Sequence, residues 1–212
     1  MGECPFNVEE SDFSALSPLL ASTVGQLSED ADKFDHIMAF FIALMAQNAY
    51  RPTCLYDTDT NKWAKTLTCI PPDWKRPGTN IYYIAFRLSV PKDCGVICQL
   101  VGIPTGDWMV LNLLPKGASR ACKTRSTTVN VAKYVNLHQK LLGKFWHLKE
   151  LAYKFKNELF VPVHSHMLLE VGIASPCLQG IPEEARDMIF EYLDSWSLWS
   201  AKKALETGRP TR

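Results

Sequence analysis

Several patterns are missing from this 212-residue chain, and each absence removes a class of function. There is no apolar run long enough to cross a bilayer: Ile37 to Ala46 is amphipathic and falls well short of the roughly 20 residues a spanning helix needs. No basic segment followed by an apolar core opens the chain, and no Asn-x-Ser/Thr sequon occurs. Paired Cys-x-x-Cys knuckles are absent, as are Gly-rich phosphate loops, a Gly-x-Ser-x-Gly elbow and a His-Glu-x-x-His helix. Net charge is only +1, which argues against a dedicated nucleic-acid or membrane-surface binder. Neither a zinc-finger spacing nor an RNP-like string contradicts that.

What is present is a composition able to bury a core. Hydrophobic residues make up 47% and charged residues 21% of the chain, the balance of an ordinary globular protein. The charges are unevenly placed. Glu3, Glu9, Glu10, Asp12, Glu29, Asp30, Asp32 and Asp35 face only Lys33 in the first fifty residues, whereas the stretch from Lys116 to Lys156 is rich in bases. Such runs are usually solvated faces, here of opposite sign and able to attract one another. Seven scattered cysteines, Cys4, Cys54, Cys69, Cys94, Cys98, Cys122 and Cys177, without a secretory signal predict reduced thiols in the cytosol or nucleus.

Periodicity predicts a helix–sheet–helix order. An acidic leader over 1–12 precedes a short helix near Pro18. Phe34, Ile37, Met38, Phe41, Leu44 and Met45 then recur at helical spacing, with acids at the N-terminal end and Arg51-Pro52 as the stop. Asn80 to Val90 predicts a central strand. Gly95 to Ile103 and Asp107 to Leu114 form a hairpin about Pro104-Thr105-Gly106, and Thr127 to Val135 adds a strand. Helical spacing returns from Leu141 to Leu159, ending at Pro162. The fold class is therefore α+β, an antiparallel sheet flanked by helices. After a linker over 171–179, Pro182, Glu183 and Glu184 suit a helix start, and Ala185, Met188, Ile189, Tyr192 and Leu193 form one apolar face. A second short helix carries Leu198 and Trp199, and 201–212 reads as an unstructured basic tail.

Chemical constellations are weak. Cys94-x-x-x-Cys98 and His164-x-His166 each place two ligands on one face of an extended segment, but neither has a partner pair. His138 or His147 beside a thiol would suit a cysteine hydrolase, yet nothing orients them. Trp63, Trp74, Tyr82, Tyr83, Trp108 and Trp146 are expected mainly in the core, with partner anchoring as the alternative. No catalytic residue, metal or cofactor is assigned.

Two stretches carry a resemblance. Trp74-Lys75-Arg76-Pro77-Gly78, the strand Ile81 to Phe86 and the arm Met109-Val110-Leu111-Asn112 resemble the FP domain shared by PI-type proteasome inhibitors and the F-box-only protein seven family, over roughly 13–170. Ile181-Pro182-Glu183-Glu184, Ile189-Phe190 and Leu193-Asp194 resemble the opening of an F-box over 180–200, whose third helix finds no match in Ala201 to Leu205. The lack of a preceding ubiquitin-like domain favours the insect branch of that family. The resemblance implies a non-catalytic adaptor in a cullin-type ubiquitin ligase linked to proteasome regulation, or else an FP-only scaffold without ligase activity. Its implied partners are the Skp adaptor and cullin scaffold, a proteasome-inhibitor FP domain and a second copy of itself. Ile181, Pro182, Ile189, Phe190, Leu193 and Leu198 would face Skp. The continuous apolar pattern of the hairpin arms assigns FP pairing to Leu100, Val101, Ile103, Trp108 and Val110. The alternative, helices on both sheet faces with Ile103 in the core, stays open at this point.

Overall fold

A computed structural model describes residues 7–90, 95–117, 124–173 and 181–207, without the side chains of 142 and 204–207. The leader's first six residues, most of the linker, and Cys4, Cys94, Cys122 and Cys177 lie outside the described residues. The chain divides into two compact units, Met1–Val163 and His164–Arg212.

The first unit is built around one helix and one sheet. Helix α1 (Pro18–Val24) begins on Pro18, with Ser17 accepting the amide of Leu20 as its cap. Helix α2 (Lys33–Gln47) opens with a capping box between Asp32 and Asp35, and every residue from Asp35 to Ala46 is buried. Burial on all sides marks α2 as the central core helix rather than an amphipathic cover. It stops at Asn48 and at Ala49, which takes a positive φ of 63°, not at Arg51-Pro52. Those two residues instead enter strand β1 (Tyr50–Pro52).

Strands β4 (Tyr82–Leu88), β5 (Ile97–Thr105), β6 (Trp108–Lys116) and β7 (Arg125–Asn130) join β1 in an antiparallel sheet of order β1-β4-β5-β6-β7. The predicted α+β class and antiparallel sheet are thus present. The segment between β1 and β4 is not a plain loop: β2 (Tyr56–Asp57) and β3 (Lys62–Trp63) form a separate two-stranded ribbon. The β5–β6 loop is two residues long, Gly106 and Asp107, with Gly106 at φ 62°, a conformation glycine adopts without a steric penalty. Pro104, expected in that turn, lies within β5 opposite Met109. It is tolerated because β4 ends its pairing at Gly102, so one side of Pro104 has no ladder to break.

Tyr82, Ile84, Phe86, Leu88, Cys98, Leu100, Met109, Leu111, Leu113 and Val129 alternate onto the buried face of the sheet. Gly102 belongs to the same face. A Cβ there would stand 2.9 Å from Met38 Sδ of α2 and 3.3 Å from Met109 Sδ, so its missing side chain permits close approach of helix and sheet. Both sheet edges are blunted. β1 is three residues long and ends in Pro52; β7 is polar, and Lys154 Nζ donates to the Thr128 carbonyl at 2.8 Å.

Helix α3 (Leu148–Phe155), a π-helical turn at Lys156–Phe160 and helix α4 (Val161–Glu170) follow. Pro162 therefore sits in the first turn of α4 instead of ending the helical run, directly after a turn whose ladder is already shifted. The leader also differs from expectation. Val8 is fully buried, its amide meets Gln47 Oε1, and Glu9 pairs with Lys156. The acidic head does engage the basic middle at that point.

The second unit carries helices α5 (Glu183–Glu191) and α6 (Ser195–Thr207). Helix α6 runs well into the stretch expected to be an unstructured tail. Asp194 starts it, accepting the Ser197 amide at 3.0 Å, the Ser197 hydroxyl at 2.7 Å and the Trp196 amide at 2.9 Å; these bonds, those of Ser197 first, hold its carboxyl below the usual range.

Candidate interaction surfaces

Of the residues assigned to FP pairing, Val101, Ile103, Trp108 and Val110 share one face of the sheet. Register makes this unavoidable: Ile103 lies opposite Val110, Val101 opposite Asn112 and Tyr83, and Trp108 opposite Thr105. Ile103 and Val110 are half-buried, Trp108 is 50% exposed, and Val101 at 8% is the most shielded. Ile97 and Leu114 lie on the same face beside Arg87, Gln99, Asn112 and Ser126, so the apolar cluster around Ile103 and Val110 is partly open to solvent and bordered by polar groups. The reading in which helices bury Ile103 does not match this exposure. Leu100 is a correction. Period-two alternation turns it to the opposite face, where it is fully buried opposite Leu113 and contributes to the core.

The α5–α6 pair offers a different surface. No residue of α5 is buried. Ile181, Phe190, Leu193 and Leu198 are half-buried, and Lys202 Nζ lies over the Phe190 ring at 6.0 Å. Pro182 is exposed and stands just before the helix, its carbonyl accepting the Arg186 amide. Ile189 points outward with Met188, Tyr192, Trp196 and Trp199; Tyr192 is 87% and Trp196 67% exposed. Trp196 and Trp199 have ring centroids 5.5 Å apart, and Lys203 Nζ lies 4.6 Å from the Trp199 ring. Tyr192 belongs to the apolar face read from the sequence and caps the C-terminal end of α5, whereas Trp196, in the first turn of α6, was not singled out.

Other expectations fare less well. His164 and His166 lie on α4, where positions two apart do not share a face. Burial holds His164 below the ordinary histidine range, and His166 Nε2 is 3.8 Å from Glu170. Among the described residues no group of three or more His, Cys, Asp or Glu is arranged to hold a metal. His138 and His147 are both exposed. Cys98 is wholly buried, which pushes its thiol far above the usual range. Of the six aromatics expected in the core only Tyr82 is fully buried; its hydroxyl donates to Asp35 at 2.7 Å, and Trp146 is exposed and stacks on Phe13 at 5.8 Å. No helix among the described residues is long and apolar enough to cross a membrane.

The class this defines is an α+β protein with two partly exposed apolar patches, one on a sheet face and one on a helical pair. No family model matches the chain. It is similar to protein nutcracker of Drosophila melanogaster, with 32% identity over 106 residues, which is 48% of this chain and 33% of that protein. The match thus spans about a third of the relative's length.

Proposed function

We propose that this chain is a non-catalytic adaptor of the FP-domain F-box type, which joins a ubiquitin ligase to proteasome regulation. The observation that carries the proposal is the exposure of Met188, Ile189, Tyr192, Trp196 and Trp199 on α5, α6 and the turn between them. Two short helices that bury no residue of α5 gain little from packing alone, and a cluster of large exposed apolar and aromatic groups is what a helix-binding partner covers. Similarity to nutcracker and the F-box-like Ile181-Pro182-Glu183-Glu184 string favour the Skp adaptor of a cullin-type ligase as that partner. Ile181, Pro182, Ile189, Phe190, Leu193 and Leu198 belong to the same segment, with the half-buried members bracing the helices and Ile189 in the contact. The sheet face around Ile103, Val110 and Trp108 is the second docking surface, for another FP domain, either a second copy or a proteasome inhibitor's.

The test is capture of the chain on immobilised Skp. Tyr192→Asp and Trp196→Asp alter exposed groups, so both variants should remain folded by circular dichroism while losing capture. Undiminished capture of the folded variants, or no capture of the unaltered chain, rejects the ligase role. Sedimentation of Ile103→Glu separates the second surface. Loss of self-association with normal Skp capture is expected, and unchanged self-association removes the sheet face from the proposal.

A further inference from the structure

Two cysteines that are fifteen positions apart meet in the fold. Cys54 Sγ and Cys69 Sγ are 2.9 Å apart, with Cys54 exposed and Cys69 half-buried. Neither the proposed docking surfaces nor any core role accounts for an outward thiol held against a second one.

The surroundings hold both ends of the pair. Cys54 sits in the 3-10 turn Thr53–Leu55 directly after β1, whose Pro52 pairs with Phe86. Cys69 lies between Thr68, buried and hydrogen-bonded to the Thr23 hydroxyl at 3.0 Å, and Ile70, whose amide donates to Gln26 Oε1 at 3.1 Å. The intervening chain is tied back on itself. Arg51 Nη2 donates to the carbonyls of Ala64 and Thr66, the Ala64 amide donates to the Leu55 carbonyl, and the Tyr56 and Trp63 rings lie 4.9 Å apart. The β2–β3 ribbon therefore forms a loop already closed by non-covalent contacts at the place where a covalent one would fall. Closing the pair brings the sulfurs from 2.9 Å to the ~2.05 Å of a disulfide.

We propose that Cys54 and Cys69 form an oxidisable dithiol, a modification site at which a hydroperoxide closes a Cys54–Cys69 disulfide across the β2–β3 ribbon. The roles of the two sulfurs differ. Cys54, open to solvent, attacks the hydroperoxide as thiolate; the O–O bond breaks, a sulfenic acid forms on Cys54, and the alcohol or water leaves. Cys69 then attacks the Cys54 sulfur, and the sulfenic oxygen departs as water with the Cys69 proton. The hydroperoxide gains two electrons, one from each sulfur. Burial, then the neighbouring Cys54, push the Cys69 thiol up to about 12, opposed by the nearby Arg51 guanidinium, so the solvent-exposed Cys54 and not Cys69 meets the hydroperoxide first.

The experiment uses the full chain, reduced, freed of reductant and given a small molar excess of hydrogen peroxide. Remaining thiols are then capped with N-ethylmaleimide and the peptides mapped. The expected result is a Cys54–Cys69 cross-linked peptide, parallel loss of capping at both sulfurs, recovery with dithiothreitol, and a Cys98 that stays reduced. In Cys69→Ser, dimedone should trap a sulfenic acid on Cys54; in Cys54→Ser, Cys69 should remain capped as before peroxide. A second measurement reads proximity without oxidation: phenylarsine oxide bridges two adjacent thiols with loss of water, so one arsenical should bind the intact pair and none should bind there in either serine variant. The proposal is overturned by Cys54 joining another cysteine, by oxidation of Cys54 while Cys69 stays capped, or by arsenical binding that survives both substitutions. These outcomes do not depend on Skp capture.

Discussion

Helices α2 and α5 both read as helical from sequence, yet they stand at opposite extremes of burial. Twelve consecutive residues of α2 are buried, whereas α5 buries none. A hydrophobic pattern thus specifies a helix without specifying what covers it. The covering of α2 comes from its own unit, through the sheet and the ring of Phe155, which stacks on Phe41. For α5 and α6 the large exposed groups are the ones a partner would remove from water.

That contrast can be broken or sharpened by substitution, beginning with its largest consequence. Phe41→Ala removes a fully buried ring that stacks on Phe155 at 4.7 Å. It should cost about 3–5 kcal/mol in chemical denaturation. A cost near zero would mean that α2 is not the core.

Tyr82→Phe tests the N-terminal anchor of the same helix. Asp35 accepts from the Tyr82 hydroxyl, Lys75 Nζ at 3.1 Å and the Asp32 amide. Burial, then this carboxylate, holds the Tyr82 hydroxyl far above its ordinary range. Losing one donor to a buried carboxylate should cost about 1–3 kcal/mol in the same assay.

A smaller effect is expected from pH. His36 donates from Nδ1 to the Asp32 carbonyl and accepts Lys144 at Nε2; burial lowers its pKa below the ordinary value of 6.5, with Lys144 adding to the lowering and Asp35 and Asp32 opposing it. The folded state then binds fewer protons than the unfolded state once pH drops toward the unfolded value. The stability His36 contributes is complete above about pH 6.5 and is lost as pH falls through its depressed folded pKa. His36→Gln should flatten that part of a melting-temperature profile, and an unchanged slope would assign it elsewhere. Smallest of all, Trp196→Ser should alter stability by no more than about 0.5 kcal/mol. A larger loss would show that the exposed tryptophan supports its own unit.

Much of this architecture was legible because its signals are local. The α2 pattern and its Asp32–Asp35 cap lie within one stretch, and the period-two alternation of β4 to β6 announces the sheet. Long-range contacts were not. Val8 is buried through Gln47, and Glu9 is held by Lys156, partners that no window of sequence brings near. The assignment of Leu100 to an outer surface failed for a simpler reason: five neighbouring apolar residues were treated as one patch, although adjacent residues in a strand face opposite ways. The tail misled by composition, since its lysines suggest disorder while the Asp194 cap starts a helix that carries Lys202 and Lys203. The Cys54–Cys69 pair has no sequence signature at all, because its spacing acquires meaning only once the ribbon folds between them.

The blunted edges of the sheet limit how the protein can assemble. Strand addition needs a row of free backbone groups; β1 offers only three residues and ends in a proline, and on β7 Lys154 already occupies the Thr128 carbonyl. A partner that meets this sheet does so over its open face rather than by lengthening its strands.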